Sequence, residues 1–575
     1  MPILSAIGRK SPQTRLLIAA IYAALGLGAV AMLYPLGLLI AGSTKSIADQ
    51  RENVLVPRFL VSDEALWQKH IEALFNESTD ALNVAFDTDY ASFEDVPLPP
   101  ADAPGADLVP LWREFLASGV LPPQAIALGH YWAPQAGAFP VQLREFRKRL
   151  REKFGTLDAL NAALGTAFDA WYVVFIQPPA YLFPHAVPDA TPLATEFDAF
   201  KLAAPDWCQT VLSPEGFFRK LYLKPRYSKE IAAYNAAHGT VYASYADVPL
   251  PREFPAAAAP LAQEEWRDFT HNTLSPLWLK DGDLDTPETR WRDWIAAKER
   301  LEGRGARGEI APPSPPAPRL SSLFPRPSSL APPLPQLAHH AQLFREHKAE
   351  IRREFLWRNY RTVLDHVLFH GRGIANTVVY CTLAVLLALL VNPLAAYALS
   401  RFKPSAGPQI LLFLMLTMAF PHMVTQIPVF VLLRELGLLN TFAALLLPGM
   451  ASGYSIFLLK GFFDSLPRDL YESAQLDGAG EWTLFWQITM RLSTPILSVI
   501  ALQAFSVAYA NFMYALLICQ DPKMWTLMVW LYQLQQRSGP GVVQASLLLA
   551  ALPTLAVFLA CQRVLLRGIV VPVEK

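Results

Sequence analysis

Six runs of apolar residues, separated by polar segments of very unequal length, organise this chain. The first, from Leu16 to Ala41, is about 26 residues long, enough to cross a bilayer and longer than the apolar core of a signal peptide. The others are Ile374–Ser400, Pro408–Leu433, Thr441–Phe463, Pro495–Cys519 and Gly541–Gln562. A cleaved signal is the alternative for the first run, but five later spans favour a permanent anchor. Between the first and second runs lies a polar insertion of roughly 320 residues, to about Gly373, with no stretch long enough to span. Basic residues in the short loops predict the orientation. If the N-terminus is cytoplasmic, that side holds Arg9, Lys10, Arg15, Arg401, Lys403, Lys460, Arg468, Arg491, Arg563, Arg567 and Lys575, eleven against three (Arg434, Lys523, Arg537). Both termini are expected inside and the insertion outside.

The insertion repeats itself. Ala81-Leu82-Asn83 leads to Asp87-Thr88, Tyr90, Phe93 and Val96-Pro97-Leu98-Pro99. Ala159-Leu160-Asn161 leads to Gly165-Thr166, Phe168 and Trp171, and Ala233-Tyr234-Asn235 to Gly239-Thr240, Tyr242, Tyr245 and Val248-Pro249-Leu250-Pro251. A second phrase recurs as Trp112-Arg113-Glu114-Phe115, Trp266-Arg267-Asp268-Phe269, Trp291-Arg292-Asp293-Trp294 and Trp357-Arg358-Asn359-Tyr360. Each unit reads as a helix ending at an asparagine, a turn, an aromatic-anchored loop and another helix. Stacked copies are expected to bury their aromatics against one another. The Leu-Asn…Gly-Thr phrase is similar to a helical stretch in some retaining β-galactosidases, but it covers about twenty residues per copy and carries no catalytic pair, so it is read as packing. Asp95, Asp247 and Glu253 could serve a glycosidase, but nothing in the sequence places two carboxylates together across a sugar.

Between the fourth and fifth runs stands PRDLYESAQLDGAGEWTLFWQITMRLSTP. Ser465 can cap a helix beginning near Pro467, and Asp469 and Glu472 suit its N-terminus. Gly478 and Gly480 offer a stop and a turn. A second short helix then sets Trp482, Phe485 and Trp486 on one packing face. An interfacial amphipathic hairpin without a partner fits the same pattern. Glu472-Ser473-Ala474, Asp477-Gly478-Ala479, Phe485, Ile488 and Pro495 resemble the "EAA" loop of bacterial ABC importer permeases, nearest to the maltose-type carbohydrate importers. That resemblance implies a cytoplasmic coupling helix docked in a groove of an ATP-hydrolysing subunit, through Glu472, Ser473, Ala474, Asp477, Gly478, Ala479, Ile488 and Pro495. The chain departs from the pattern at Ser473, and at Met490-Arg491, where Leu-Pro is usual. The second departure predicts a less sharply bent start to the next span. Asn359-Tyr360, Asn376-Thr377, Ala395-Ala396-Tyr397-Ala398, Pro421, Pro428, Leu438-Asn440-Thr441 and Trp525-Thr526-Leu527 resemble the same family. Asn511-Phe512 is a partial match, with Tyr509 at a tryptophan position. The resemblance covers about 1–45 and 355–570.

Composition agrees with a membrane protein: 53% of residues are hydrophobic and 17% charged. Formal net charge is zero, so nothing in it recruits nucleic acid. Four cysteines, Cys381, Cys519 and Cys561 among them in apolar runs, make no disulfide framework, and no metal-ligand spacing occurs. From Ala311 to Ala338 ten prolines in 28 residues predict a spacer, and the neighbouring His339-His340 are expected to be solvated. No Gly-x-x-x-x-Gly-Lys-[Ser/Thr] loop is present, so the chain itself is not expected to hydrolyse ATP. Polar groups within spans are costly and therefore informative: His422, Gln426, Gln503 and Asn511 are candidates to line a pathway, or to bond a neighbouring helix. Prolines 421 and 428 interrupt the third span, where freed carbonyls can face a cavity.

The expected fold is an all-α integral membrane protein with six transmembrane helices in an importer-permease bundle. Its segments are 1–45, a mostly helical periplasmic insertion 46–310, a proline-rich linker 311–340, a pre-membrane helix 341–373 and a core 374–575 with coupling loop 464–494. The family resemblance implies a non-enzymatic subunit translocating a carbohydrate across the inner membrane. Its partners would be an ATPase dimer that binds ATP and Mg, a second permease, a periplasmic solute-binding protein and membrane lipid, with no cofactor on this chain. A membrane-anchored glycosidase and a carbohydrate receptor are the alternatives.

Overall fold

In the computed structural model each recurring asparagine of the insertion closes a helix, and the repeated letters turn out to be a capping device. The helices Thr79–Phe86, Leu157–Leu164 and Ile231–His238 end at Asp87, Gly165 and Gly239, whose φ angles of 54°, 66° and 63° are left-handed. Asn83 Nδ2 donates to the Tyr90 carbonyl at 2.9 Å, while its Oδ1 accepts from Thr88 Oγ1 at 3.0 Å and Tyr90 N at 2.8 Å. Asn161 makes the same three bonds to Phe168 and Thr166, and Asn235 to Tyr242 and Thr240. One amide thus satisfies backbone groups that the turn would otherwise leave open. Two of the three carboxylates considered for glycosidase work are spent similarly: Asp95 accepts from Ser92 N and Oγ, and Asp247 from Ser244 N and Oγ.

The structure describes residues 12–177, 191–305, 334–369, 372–419 and 421–568. They divide into two units, one holding the chain to Thr362 with Ser538–Val542, the other Val363–Arg537 and the chain from Val543. The first helix, Pro12–Gly42, therefore groups with the insertion rather than with the later spans.

Within the first unit the copies do not stack as a single array. Leu82, Phe93, Leu160 and Leu164 of the first two copies share one core, whereas Tyr234, Tyr242 and Tyr245 of the third join another. The tryptophan phrase separates likewise. Trp291 packs edge to face on Trp112 and Phe115, both at 5.2 Å, Trp266 and Phe269 are buried elsewhere, and Trp357 is 49% exposed. In that fourth copy the buried residues are Arg358 and Asn359. Two small antiparallel sheets complete the unit among the described residues. One pairs Ile126–Leu128 with Gln209–Val211, the other Leu279–Lys280 with Asp283–Leu284 across a turn at Asp281-Gly282 with both φ positive.

The expectation for His339-His340 is overturned. They lie in the helix Gln336–Phe369 and are 4% and 2% exposed. That helix starts directly after Pro335, because the Gln336 side chain bonds both N and O of Val211 at 2.9 Å and fixes the helix start against the strand. The linker thus ends before residue 336; most of the proline-rich run, at 306–333, lies outside the described residues.

In the second unit the spans are less regular than their hydropathy. Three helices in the described chain, Thr14–Gly42 of the first unit, Gly373–Arg401 and Pro540–Gln562, are long and apolar enough to cross a bilayer unbroken. The predicted third span is two helices, Gly407–Ala419 and His422–Glu435, parted at Pro421, which lacks an amide to continue the ladder. The fourth bends by 50° between Phe442–Gly449 and Gly453–Asp464. There Asn392 Oδ1 accepts from Ser452 N at 2.8 Å, and a Cβ on Gly453 would lie 2.4 Å from the Leu414 carbonyl. The fifth stops at Asn511, between Thr494–Ala510 and Phe512–Ile518. Each break leaves backbone groups open in an apolar setting, and buried polar side chains meet some of them.

Candidate functional site

The loop between the bent fourth span and Thr494–Ala510 is built as expected at its glycine and differently at its ends. Its first helix is Arg468–Leu476, with Pro467 in the N-cap position and Asp469 in the first turn. Ser465 does not cap it; its hydroxyl donates to the Phe462 carbonyl at 2.6 Å and closes the preceding helix. Glu472 lies beyond the first turn, exposed. The helix ends in a Schellman arrangement: Ala479 N reaches the Ala474 carbonyl at 2.9 Å and Gly478 adopts φ 86°. Gly480 is extended, at φ −76°.

The second helix, Glu481–Leu492, contains a π-helical turn over Leu484–Thr489. The widened turn separates the three aromatics expected on one packing face. Phe485 is 1% exposed, while Trp482 and Trp486 are 66% and 43% exposed and lie against its ring. The π turn also aims Thr489 inward, where its hydroxyl meets Tyr471 Oη at 2.9 Å. Sequence reasoning missed a clasp to the end of Gly373–Arg401. Tyr397 Oη donates to Glu481 Oε2 at 2.8 Å, and the Arg401 guanidinium lies 4.9 Å from the Tyr471 ring. Tyr397 and Glu481 stand in conspicuous stretches, but no spacing links them.

The loop helix is therefore two-faced. Tyr471 is buried and Ala474 packs with Ala479 and Ile488 on a core that includes Leu459 and Phe485. Glu472, Ser473, Asp477 and Gly478 are exposed, as are the apolar Leu470 at 42% and Leu476 at 89%. Pro495, half-buried, stands in the first turn of Thr494–Ala510. The exit is sharper than Met490-Arg491 predicted: Glu481–Leu492 and Thr494–Ala510 meet at 81°. The turn falls at buried Ser493, followed by Pro495, so no proline at 491 is needed.

The pathway candidates are not brought together by any described bond. Asn511 Nδ2 donates to Tyr380 Oη at 3.3 Å, so it ties two helices. Gln503 is exposed and Gln426 half-buried, and the His422 side chain lies outside the described residues. Other polar residues clasp helices: Asn376 Nδ2 donates to the Lys523 and Trp525 carbonyls at 2.8 and 3.0 Å, and Leu527 N to Thr377 Oγ1 at 2.8 Å.

A family model described as binding-protein-dependent transport system inner membrane component matches residues 384–570. The lactose transport system permease protein LacG of Rhizobium radiobacter is 30% identical over 195 residues, 34% of this chain and 71% of its own length. A putative ABC transporter permease protein of a Caldicellulosiruptor species is 31% identical over 214 residues, covering 36% and 77%. The diacetylchitobiose uptake system permease protein NgcG of Streptomyces coelicolor is 30% identical over 200 residues, covering 34% and 66%. Among solved structures, a bacterial ABC transporter involved in import of the acidic polysaccharide alginate matches at 24% identity and a TM-score of 0.32, covering 36% of this chain and 78% of that one.

Proposed function

The chain belongs to the family of binding-protein-dependent transport system inner membrane components, and from that premise we propose that it is the permease of an importer for a carbohydrate. Permeases named for lactose and diacetylchitobiose support the cargo class; a relative named for sn-glycerol-3-phosphate, 29% identical over 228 residues, marks its nearest competitor. In this reading both termini are cytoplasmic and six membrane passages are made, three of them by broken helices. The insertion faces outward toward a solute-binding protein and a second permease.

The observation that carries the mechanism is the two-faced loop helix. One face is fixed by Tyr471 and Ala474; the other offers Leu470, Glu472, Ser473 and Leu476. A protruding helix of this kind suits a groove on a separate ATPase subunit, where ATP and Mg would be held. Closure of the ATPase pair would push the exposed face. The Tyr397–Glu481 and Tyr471–Thr489 bonds would pass that displacement to Gly373–Arg401 and Thr494–Ala510 instead of letting the loop swivel. Breaks at Pro421, Ser452 and Asn511 would let the spans flex as they open to either side.

The test is co-purification of the detergent-solubilised chain with its neighbouring gene products, wild type beside Glu472→Lys. Wild type should retain an ATPase subunit that the variant loses. Wild type without an associated ATPase under gentle conditions would overturn the coupling role.

A further inference from the structure

The third repeat carries a cleft that the transport reading does not use. It has a volume of about 990 Å³ and is lined by the helix Pro260–Arg267, the turn that follows it and Arg226-Tyr227. It is an open hollow rather than an enclosed cavity, and most of its lining is polar. One wall is a π-helical turn, Asp268–Thr273, and a second, Phe218–Leu223, lies behind it and is tied to it through Tyr222; such turns gather at functional sites. The same tryptophan phrase in the first copy forms an ordinary helix, Val109–Ala117, in which Arg113 pairs with Glu346 at 2.9 Å. In the second copy, Trp266-Arg267, the guanidinium of Arg267 instead lies over the Phe254 ring at 4.4 Å and lines the cleft.

The floor is preorganised. Tyr222 Oη donates to Asp268 Oδ2 at 2.7 Å, Arg226 pairs with the same carboxylate, and the Arg226 guanidinium stacks 4.0 Å from the Tyr222 ring. Glu265 is held by the Tyr227 hydroxyl and by His238 Nε2 at 3.2 Å. Above this floor stand Glu264, Arg267, His271 and Asn272. Two guanidinium groups face three carboxylates, so the cleft has no positive excess with which to hold a phosphate or uronate. The lining offers both donors and acceptors, which suits hydroxyl groups, each of them donor and acceptor at once.

We propose that this cleft binds a neutral saccharide. The choice of a saccharide over other neutral polyols rests on the carbohydrate reading above; the cleft's preference for uncharged hydroxyl-rich ligands does not. The test uses the full chain in detergent and saturation-transfer NMR, with lactose, diacetylchitobiose and sn-glycerol 3-phosphate as probes. At least one neutral sugar should bind, the phosphate should not, and Arg267→Ala with His271→Ala should weaken sugar binding tenfold or more. Both residues are exposed, so the variant should keep the wild-type melting temperature. No sugar binding, binding unchanged in the variant, or displacement by the phosphate would each overturn the assignment. ATP-driven uptake in cells carrying the whole importer is measured alongside. Sugar uptake without binding at the cleft defeats this proposal alone, whereas binding without any sugar uptake defeats the cargo reading and leaves the cleft standing.

Discussion

Gly478 and Gly541 both favour glycine, for opposite reasons. At Gly478 the backbone is left-handed, φ 86°, and a Cβ would meet nothing within 4 Å. Gly478→Ala should therefore cost only the conformational penalty, about 1–2 kcal/mol, localised at the end of the loop helix. Gly478→Asn should cost less, since asparagine tolerates that region. Transport should fall in the order glycine, asparagine, alanine, with the melting temperature of the detergent-solubilised chain nearly unchanged; equal uptake by all three would refute a coupling role for this turn. At Gly541 a Cβ would lie 2.3 Å from the Lys45 carbonyl and 2.6 Å from Asn359 Nδ2. Asn359 there bonds the carbonyls of Ser43 and Lys45, both at 2.9 Å. Gly541→Ala must push these apart, so it should lower the melting temperature and expose the segment after Gly42 to trypsin. Gly478 was legible because a helix stop is a local event. Gly541 was not, because its neighbours are 182 and 496 positions away in the numbering of Asn359 and Lys45.

At the scale of elements, the repeats were legible as units and opaque as mechanism. Offsets between Asn, Thr and aromatic survive because one side-chain amide needs a hydroxyl and a backbone at fixed reach, but letters alone do not distinguish that from a binding motif. Asn235→Ala removes all three bonds to Thr240 and Tyr242. At about 1 kcal/mol net for each bond it should destabilise the third repeat by roughly 2–4 kcal/mol. Asn235→Asp, which keeps the acceptor and loses the donor to the Tyr242 carbonyl, should fall between. Hydrogen exchange along 231–245 would check it; protection equal to wild type in Asn235→Ala would show the turn to be held by other contacts. The spans tell a complementary story. Hydropathy found where apolar chain lies, and Pro421 announced one break from its missing amide. The break at Ser452 depends on Asn392, 60 residues earlier, and no periodicity reports it.

Across the insertion as a whole, two sets of buried titratable groups oppose each other, which predicts a pH profile. His70 and His130 face one another at 3.1 Å, ringed by Trp67, Trp207, Phe344 and Phe355, with Arg358 and His347 the nearest charged or titratable groups. His340 lies beside His339, which also senses Arg113, Asp206 and Glu346. Burial pushes all four imidazoles below the usual 6.5, His130 to about 3 and His339 to about 4. The unfolded chain takes up these protons from pH 6.5 downward while the folded chain refuses them, so stability falls as pH drops below 6.5 and continues to fall toward pH 4. Glu77 has the reverse sign. Burial, and Glu72 nearby, raise its carboxyl from 4.5 to about 7, although it accepts bonds from Gln135 N and Ala136 N. Folding therefore loses stability as pH rises from 4.5 to 7 on its account, and nothing further above 7. Glu77→Gln, which keeps an acceptor for those amides without the charge, should raise the melting temperature above pH 7 and leave it unchanged near pH 4.5. His130→Gln should flatten the loss between pH 6.5 and 4 without that gain at high pH. Thermal melts of the full chain in detergent from pH 4.5 to 8 read both slopes, and a Glu77→Gln gain that is the same at both ends of the range would mean the carboxylate is held ionised throughout, with its backbone donors outweighing its burial.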